Sequence, residues 1–348
     1  MRVILAPSFE IAKSLPTPDL TVEAEYGSEV WEGAIYTAAH HQPTGPFAGR
    51  HITEGGRPSP CNDHDIPDLT HVEGRPTRGE EGCTIGVSHI DLDTIGGCLR
   101  AVGAHCMDPA YQSFWDLAEF VDVNGAHKLG DANASEEDEA RLWAFWAWKE
   151  ANVPHYFSRE EITDVSEIVA QAIAALGDIL GVRYECGVHA TDCDGYCDHI
   201  DGQNMCLPDG LNDAHWSLIA AGRKMKADQE ALSTATAKTF VGNDGVVLRS
   251  SGQFVNHLYV WGAHVYRACV SFNPDAGSIT ISLAEPVEGV NCCKLVQEWW
   301  GPEAGGHPGI AGSPRGQELS WEDAEAAAQK VWAALLTADE STLTSEKE

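Results

Sequence analysis

Strand-like and helix-like patterns alternate along the first half of the chain. Apolar runs predict strands at Val3–Ala6, Thr21–Tyr26 and Cys83–Val87, and Gly33–Ala38 fits either a strand or the start of a helix. Helical periodicity predicts helices at Thr94–Val102, Glu136–Glu150 and Ile162–Leu180, with Ser135 placed to cap the second and Gly181 to end the third. This succession is typical of an α/β fold.

The second half carries a long predicted helix and then short strands separated by turn sequences. The helix is Trp216–Phe240, and the strands are Val246–Leu248, Leu258–Trp261, Tyr266–Phe272 and Ser278–Leu283. Helices at Asn291–Trp300 and Trp321–Leu336 enclose a glycine-rich loop. We therefore predict two domains with a cleft between them: residues 1–183, with a mainly parallel sheet flanked by helices, and a smaller α+β domain at 241–337. A Cys/Asp-rich loop and a linker helix at 184–240 connect them, and residues 338–348 are expected to form a disordered tail.

Composition limits the partners. The 348 residues are 43% hydrophobic, enough for a large core, and 53 acidic against 22 basic residues give a net charge of −31. Such a charge repels polyanions and argues against binding to long duplex nucleic acid.

No apolar run approaches the length of a membrane span, and the apolar run at the N-terminus is too short for a signal peptide. We therefore expect a soluble cytoplasmic protein, and a homodimer stays open. Eleven irregularly spaced cysteines are typical of reduced thiols.

The densest candidate chemistry follows the strand that ends at Val87. His89, Asp91 and Asp93 come next, in the run V-S-H-I-D-L-D-T-I-G-G. In open α/β sheets, ligands bind at the carboxyl ends of the strands. Two carboxylates beside an imidazole suit Mn²⁺ or Mg²⁺. The alternative is a helix cap, in which an aspartate accepts backbone N–H bonds.

Three further segments supply candidates. The apolar run Phe114–Val121 predicts a second strand that ends in a carboxylate, Asp122, which would bridge two ions. His40 can ligate a metal while His41 reaches a phosphoryl oxygen, and exposed loop histidines are the alternative. Asp63 lies in the ligand-rich turn C-N-D-H-D-I-P, which an ordinary Asn/Asp turn also explains. A zinc site among Cys186–Cys206 is not favoured, because no C-x-x-C pair is present.

The glycine-rich segment Gly301–Gly316 is a candidate anion site. Its glycines, among them Gly305 and Gly306, allow backbone N–H groups to approach an anion, and His307 and Arg315 add charge. An ordinary glycine-rich loop is the alternative.

These motifs together resemble the DHH phosphoesterase superfamily with its DHHA1 substrate-binding domain. The resemblance rests on H-I-D-L-D-T-I-G-G, on A-H-H-Q-P, and on I-S-L-A, V-N-C-C-K-L-V and G-G-H in order between Gly245 and Leu336. Members include RecJ-type exonucleases, oligoribonucleotide and nucleotide-bisphosphate phosphatases and exopolyphosphatases, which use two Mn²⁺ ions in a cleft between two domains. By resemblance, Asp91 and Asp93 match the first motif, Asp122 a later aspartate, and His307 the substrate-binding histidine.

Two departures from the family pattern concern the histidines. The family's first-motif histidine would fall at Val87, and His89 stands two positions later. The D-H-H triplet appears as Ala39, His40 and His41, without its acid and before the H-I-D-L-D strand rather than after it. A circular rearrangement of the N-terminal domain explains this order, with Asp63 replacing the acid. Coincidence is the alternative.

The sequence therefore predicts a metal-dependent phosphoesterase. His40, His89, Asp91, Asp93 and Asp122 are expected to hold two Mn²⁺ ions, with Mg²⁺ as an alternative, that activate a water, and His41 and His307 to neutralise the transferred phosphoryl group. Expected substrates are a short oligonucleotide, a nucleotide bisphosphate or a linear dinucleotide. One alternative is a single-strand exonuclease using Arg223, Lys224 and Lys226. The other is a non-catalytic nucleotide-binding regulator.

Overall fold

The computed structural model describes residues 1–26, 29–39, 58–69, 83–103, 109–154, 157, 161–183, 207–208, 212–240, 245–252, 256–261, 263–314 and 316–345. The chain divides into two compact units, one formed by Met1–Val123 with Ala134–Met225 and the other by Asn124–Asn133 with Lys226–Glu348. The division falls inside the long helix, and a short stretch of the first half belongs to the second unit.

The first unit is built on a mainly parallel sheet. Its strands are β1 (Arg2–Leu5), β2 (Leu20–Val22), β3 (Glu25–Tyr26), β4 (Glu29–Val30), β5 (Tyr36–Ala38), β6 (Thr84–Val87), β7 (Thr163–Asp164), β8 (Val182–Arg183) and β9 (Leu207–Pro208). The main sheet has the order β5-β2-β6-β1-β7, in which only β7 runs antiparallel to its neighbour. The predicted α/β class is thus observed, and the carboxyl ends of β5, β2 and β6 share one edge.

Helices accompany this sheet. They are α1 (Phe9–Ser14), α2 (Leu92–Ala101), α3 (Pro109–Asn124), α4 (Glu136–Asn152), α5 (Ser166–Leu180) and α6 (Asp213–Thr236), the last continuing into the second unit. Ser135 caps α4 and Gly181 ends α5 in the left-handed conformation, as the sequence predicts. All ten residues of α2 are buried. This burial fixes the helix that follows β6 and therefore the acids at its start.

The second unit contains a mixed six-stranded sheet. The strands of this unit are β10 (Lys238–Thr239), β11 (Val246–Ser250), β12 (Val260–Trp261), β13 (His264–Val265), β14 (Ala268–Asn273), β15 (Ser278–Leu283), β16 (Gly305–His307) and β17 (Ile310–Gly312). Strands β12 and β13 pair only with each other, and the other six form the sheet. The sheet order is β10-β11-β14-β15-β17-β16, and only the β11/β14 pair is parallel. Helices α7 (Cys292–Trp300) and α8 (Trp321–Ser345) pack on it and bury a core that includes Leu248, Ile281 and Val331.

Several local predictions are wrong. Leu258 and Tyr259, predicted in a strand, belong to a 3₁₀ helix at Asn256–Tyr259, and Thr163–Asp164, predicted in a helix, forms β7. Phe114–Val121 is part of helix α3 and not a strand. Phe114, Leu117 and Ala118 are buried at helical spacing, so the apolar run follows the 3.6-residue period. The glycine-rich loop contains the hairpin β16–β17, and α8 continues to Ser345, into the segment where a disordered tail was expected.

In the described part of the chain, every helix is too short or too polar to cross a lipid bilayer.

Candidate active site

The carboxyl end of β2 places a buried acid in a strained backbone conformation. Among the described residues, Glu23 is the one non-glycine residue with a positive φ, 49°. Its N–H donates to the carbonyl of Ala38 at 3.0 Å, its carbonyl accepts a hydrogen bond from Ser88 Oγ, and only 4% of the residue is exposed. Such conformations persist where surrounding contacts impose them, and they concentrate at functional sites.

The carboxyl end of β6 carries a histidine and aspartate pair. His89 Nε2 lies 2.7 Å from Asp91 Oδ2, and its Nδ1 lies 2.8 Å from Ser88 Oγ. Asp91 is also the N-cap of α2, because its Oδ1 accepts the N–H of Thr94 at 2.9 Å. Burial alone would raise the pKa of Asp91, but the charge and hydrogen bond of His89 outweigh it and hold that pKa well below its usual range. Asp91 is therefore an ionised carboxylate and a structural cap at once.

Asp93, in the first turn of α2, is the most deeply placed acid of the predicted pair. It is 3% exposed, and its Oδ1 accepts the backbone N–H of Cys61 at 2.9 Å. Burial, followed by the charge of Asp91, raises the pKa of Asp93 to about 7. Oδ2 of Asp93 is buried, and hydrogen bonds to Asp93 from the Cys61 backbone and side chain and from the Glu23 carboxyl offset part of this rise.

The two glycines of the T-I-G-G run make this arrangement possible. A Cβ on Gly96 would lie 2.4 Å from Cβ of Cys61, and one on Gly97 would lie 2.6 Å from Cγ1 of Val22. Both distances are shorter than atoms tolerate, so only glycine lets α2 approach β2 and the turn that contains Cys61. The buried Arg100 ties the same turn to α2, since its Nε donates to the carbonyl of Cys61 at 2.8 Å.

Asp122 reaches the cluster from a helix and not from a strand end. It lies near the end of α3, and its Oδ2 accepts the hydroxyl of Ser59 at 2.8 Å. One turn earlier, Glu119 accepts a hydrogen bond from Asn62 Nδ2 at 2.6 Å. Burial and then the charges of Asp93 and Asp91 raise the pKa of Asp122. Asp122 therefore interacts electrostatically with Asp93 and Asp91, its predicted secondary structure is wrong, and its role as a shared metal ligand stays a prediction.

Several buried acids act on each other electrostatically in this cluster. The pKa of Glu23 is raised well above its usual range by burial first, and then by Asp93, Asp122 and Glu25. Carboxylates that cannot all ionise together in a poorly solvated place must bind protons or cations. We name the set of Glu23, Glu25, Asp91, Asp93 and Asp122 the acid cluster.

The donors of the acid cluster are of the type that a hard divalent cation prefers, since they are carboxylate oxygens, and Oδ2 of Asp93 is among the buried ones. Within the described ranges, no three His, Cys, Asp or Glu side chains are arranged so that they could hold a metal ion together. Several of the oxygens are instead directed at donors, namely the N–H groups of Cys61 and Thr94 and the hydroxyl of Ser59. His40 and His41 lie outside the described residues, directly after β5.

The other predicted ligand, Asp63, lies in the turn at 61–65 and is held there by two hydrogen bonds. Asp63 is 2% exposed, its Oδ2 accepts the hydroxyl of Tyr36 at 2.9 Å and its Oδ1 accepts the N–H of Asp65 at 3.1 Å. His64 Nδ1 lies 3.3 Å from a guanidinium nitrogen of Arg100. The sequence alternative, a turn stabilised by Asp and Asn side chains, therefore accounts for the contacts of Asp63.

In the second unit, the predicted anion-binding residues form an edge hairpin. Gly305 and Gly306 are exposed and His307 is half-buried, and His307 pairs with Ile310 across the turn. Gly306 has a φ of 140°, and a Cβ there would lie 2.5 Å from the carbonyl oxygen of Ile310. Arg315 lies outside the described residues.

Sequence reasoning missed Glu23 and Glu25. The signal was present, because T-V-E-A-E is an apolar strand that ends in carboxylates, the same pattern that indicated Asp91. It missed Ser59 and Cys61 as well, which contact Asp122 and Asp93 through hydrogen bonds across the fold. No local pattern predicts those two contacts.

Comparison with known proteins is limited in extent. No family model matches the chain. A stretch of 80 residues is 38% identical to a protein named prephenate dehydratase from Mycolicibacterium gilvum (strain PYR-GCK), covering 22% of this chain and 23% of that protein, so the match spans less than a quarter of the relative's length. Among solved structures, the chain is similar to PggH, a pGpG-specific phosphodiesterase from Vibrio cholerae, with a TM-score of 0.35 and 9% identity over 65% of this chain and 69% of that one.

Proposed function

We propose that the protein is a metal-dependent phosphoesterase that hydrolyses a small phosphorylated substrate. The observation that carries the proposal is the acid cluster at the carboxyl edge of a parallel sheet, with Oδ2 of Asp93 buried among other carboxylates. In α/β folds this edge is where ligands bind. A buried group of like charges is costly unless a cation or protons compensate it, so the cluster favours a cation site over a structural role.

Asp91, Asp93, Asp122 and Glu23 are the proposed oxygen ligands for two Mn²⁺ ions, with Mg²⁺ as the alternative. Such ions supply an activated water and charge neutralisation for attack on phosphorus. His89 holds Asp91 in its ionised form, and the Cys61 N–H and the Ser59 hydroxyl orient Asp93 and Asp122. Hydrogen bonds of this kind orient ligands in metal sites generally. His40 and Asp63 stay proposed ligands on the sequence resemblance, as does His41 for the phosphoryl group.

The second unit is proposed to bind the phosphate end of the substrate. The resemblance assigns this role to Gly305, Gly306, His307 and Arg315. An exposed glycine pair beside an imidazole supports it, because backbone N–H groups and a cationic ring both stabilise an anion.

The substrate class follows from charge. A chain with a net charge of −31 attracts polyanions weakly, and divalent ions compensate the few charges of a small ligand more easily. We therefore propose a short oligonucleotide, a nucleotide bisphosphate or a linear dinucleotide such as pGpG as the substrate, in preference to a polymer.

The test combines metal analysis with a substrate panel. Protein purified without chelator should contain close to two Mn²⁺ ions per chain after Mn²⁺ loading, and it should hydrolyse at least one of the three substrate types. In Asp93→Asn, we expect fewer than two bound Mn²⁺ ions per chain and the loss of most turnover. Glu136 is an exposed acid in the first turn of α4, so Glu136→Gln should keep the wild-type Mn²⁺ content and turnover.

Other results would assign the protein differently. Less than one ion per chain, with nucleotide binding intact, would indicate the non-catalytic regulator. A steep decline of substrate affinity with salt would indicate a polymer substrate and the exonuclease, since polymer binding releases counterions. Full Mn²⁺-dependent turnover in Asp91→Ala would overturn the assignment of the site.

A further inference from the structure

The turn that follows His307 is held by hydrogen bonds to both of its carbonyl groups. Pro308 and Gly309 connect β16 to β17. The carbonyl of Pro308 accepts the N–H of Cys292, the first residue of α7, at 2.8 Å. The carbonyl of Gly309 accepts the N–H of Leu283 at 2.8 Å and the hydroxyl of Ser282 at 3.1 Å. The turn is therefore fixed to the helix on one side and to the end of β15 on the other.

Behind Ser282 lies a buried tyrosine. Tyr259 is 5% exposed and Ser282 is 1% exposed, and their hydroxyl groups are hydrogen-bonded to each other. The tyrosine hydroxyl also lies 3.1 Å from the carbonyl of Leu283. The Tyr259 hydroxyl donates to the carbonyl of Leu283 and the Ser282 hydroxyl donates to the carbonyl of Gly309, so the two adjoining hydroxyls connect the end of β15 to the turn. We call this pair of hydroxyls the relay. Burial raises the pKa of Tyr259, so the donor keeps its proton.

The strand before the turn carries an independent constraint. Gly306 adopts a φ of 140°, and the space where its Cβ would stand is occupied by the Ile310 carbonyl. His307 thus follows Gly306, whose conformation requires glycine, and precedes the Pro308–Gly309 turn, which hydrogen bonds hold in place. A residue whose backbone is held on both sides loses less freedom when it binds a ligand.

We infer that Tyr259 and Ser282 are positioning residues, which fix the Pro308–Gly309 turn so that His307 stands ready for the phosphate of the substrate. The inference rests on the proposed function of His307. Ser282 lies in the I-S-L-A motif of the resemblance, whereas Tyr259 lies outside its motifs, and the resemblance assigns no role to either residue. Apolar residues could fill the same places in the core without loss of stability. Buried hydroxyls that are hydrogen-bonded to the carbonyl of a turn are therefore useful where the position of that turn matters.

The test uses the full chain and four variants. Tyr259→Phe and Ser282→Ala remove the two relay hydroxyls, and Ser282→Thr keeps one. Ser271→Ala is the matched control, because Ser271 is 3% exposed on the neighbouring strand and its hydroxyl points to the carbonyl of Ser251 at 3.5 Å. We expect the first two to raise KM about tenfold with kcat changed less than about twofold, the effect of losing one buried hydrogen bond in substrate binding. Ser282→Thr and Ser271→Ala should leave KM unchanged.

A second readout does not depend on turnover. Inorganic phosphate is titrated into the chelator-treated protein, and the His307 ring signals are followed by NMR. Wild type and Ser271→Ala should bind phosphate about tenfold more tightly than Tyr259→Phe and Ser282→Ala. If wild type hydrolyses none of the panel but this difference is present, the proposed function fails and the positioning role holds.

The inference is overturned if both relay variants keep the wild-type KM and phosphate affinity. It is also overturned if wild type shows no phosphate response at His307, or if Ser271→Ala changes KM as much as the relay variants, which would indicate a general loosening of the sheet. Should Tyr259→Phe fail to fold, Ser282→Ala against Ser282→Thr decides alone, because these two differ by the hydroxyl that reaches Gly309.

Discussion

Cys61 donates its backbone N–H to Oδ1 of Asp93 at 2.9 Å, across 32 positions of sequence. This bond connects a turn rich in Asn and Asp to the first turn of the helix that follows β6. It orients one oxygen of Asp93 and leaves the other directed into the acid cluster. The bond depends on a close approach of backbone to helix, which only glycine at position 96 permits.

Gly96→Ala should therefore disturb both stability and the site. The new Cβ would lie 2.4 Å from Cβ of Cys61, inside contact distance, so the turn or the helix must move. We expect a loss of about 1–3 kcal/mol in the free energy of unfolding, measured by urea denaturation, together with weaker Mn²⁺ binding. Gly305→Ala is the control for stability, because a Cβ there meets no atom within 4 Å. Equal stability of the two variants would contradict the steric role of Gly96.

Asp93 should make the metal-free protein less stable as the pH rises. Its pKa is raised to about 7 in the folded state, so the folded protein binds the proton more tightly than the unfolded chain does. Stability is then greatest below the unfolded pKa near 4 and decreases until the pH passes the folded pKa, by about 4 kcal/mol from this group. The measurement is urea denaturation of chelator-treated protein between pH 4 and 8.

Asp93→Asn tests that assignment, because an amide cannot ionise. The variant should show a clearly shallower decrease in stability over the same pH range than wild type. The other raised carboxyls, Glu23 and Asp122, account for what slope is left. An unchanged slope in Asp93→Asn would mean that the buried charge of Asp93 does not govern the pH dependence.

Asp91 has two roles that substitutions can separate. Asp91→Ser keeps a hydroxyl that can cap α2, whereas Asp91→Ala removes the cap and should cost about 1 kcal/mol of stability. Both variants remove the carboxylate, so both should lose Mn²⁺-dependent turnover. Because the pKa of Asp91 is lowered, its contribution to stability is present above the unfolded pKa and is lost as the pH falls through the folded pKa. If Asp91→Ser retained turnover, the role of Asp91 would be limited to capping α2.

Ser59 should affect metal affinity through Asp122. Its hydroxyl donates to Asp122 Oδ2 at 2.8 Å, and loss of an orienting partner typically weakens metal binding by about tenfold or more. We expect this effect in Ser59→Ala by Mn²⁺ titration calorimetry. Ser233→Ala is the matched control, since Ser233 is also fully buried and its hydroxyl bonds within helix α6. The idea fails if both variants bind Mn²⁺ as wild type does.

The sequence by itself determined the α/β class and most helices and strands, and it predicted a site at the H-I-D-L-D run. These features are local, because periodic burial, caps and turn residues act within a few positions of sequence. The same local reasoning placed Asp122 on a strand, since an apolar run of eight residues fits either period until tertiary contacts decide.

Only the tertiary structure decided which acids meet. Glu23, directly after β2, interacts with Asp93 because β2 and β6 are parallel neighbours. Asp122 interacts with both from helix α3, which is hydrogen-bonded to the turn at Ser59. Asp63, a sequence candidate, is directed instead at Tyr36. Strand order and helix packing depend on contacts between residues far apart in the chain, and local patterns contain no information on such pairings. Burial then sets the protonation of the acids, which depends on every neighbour at once.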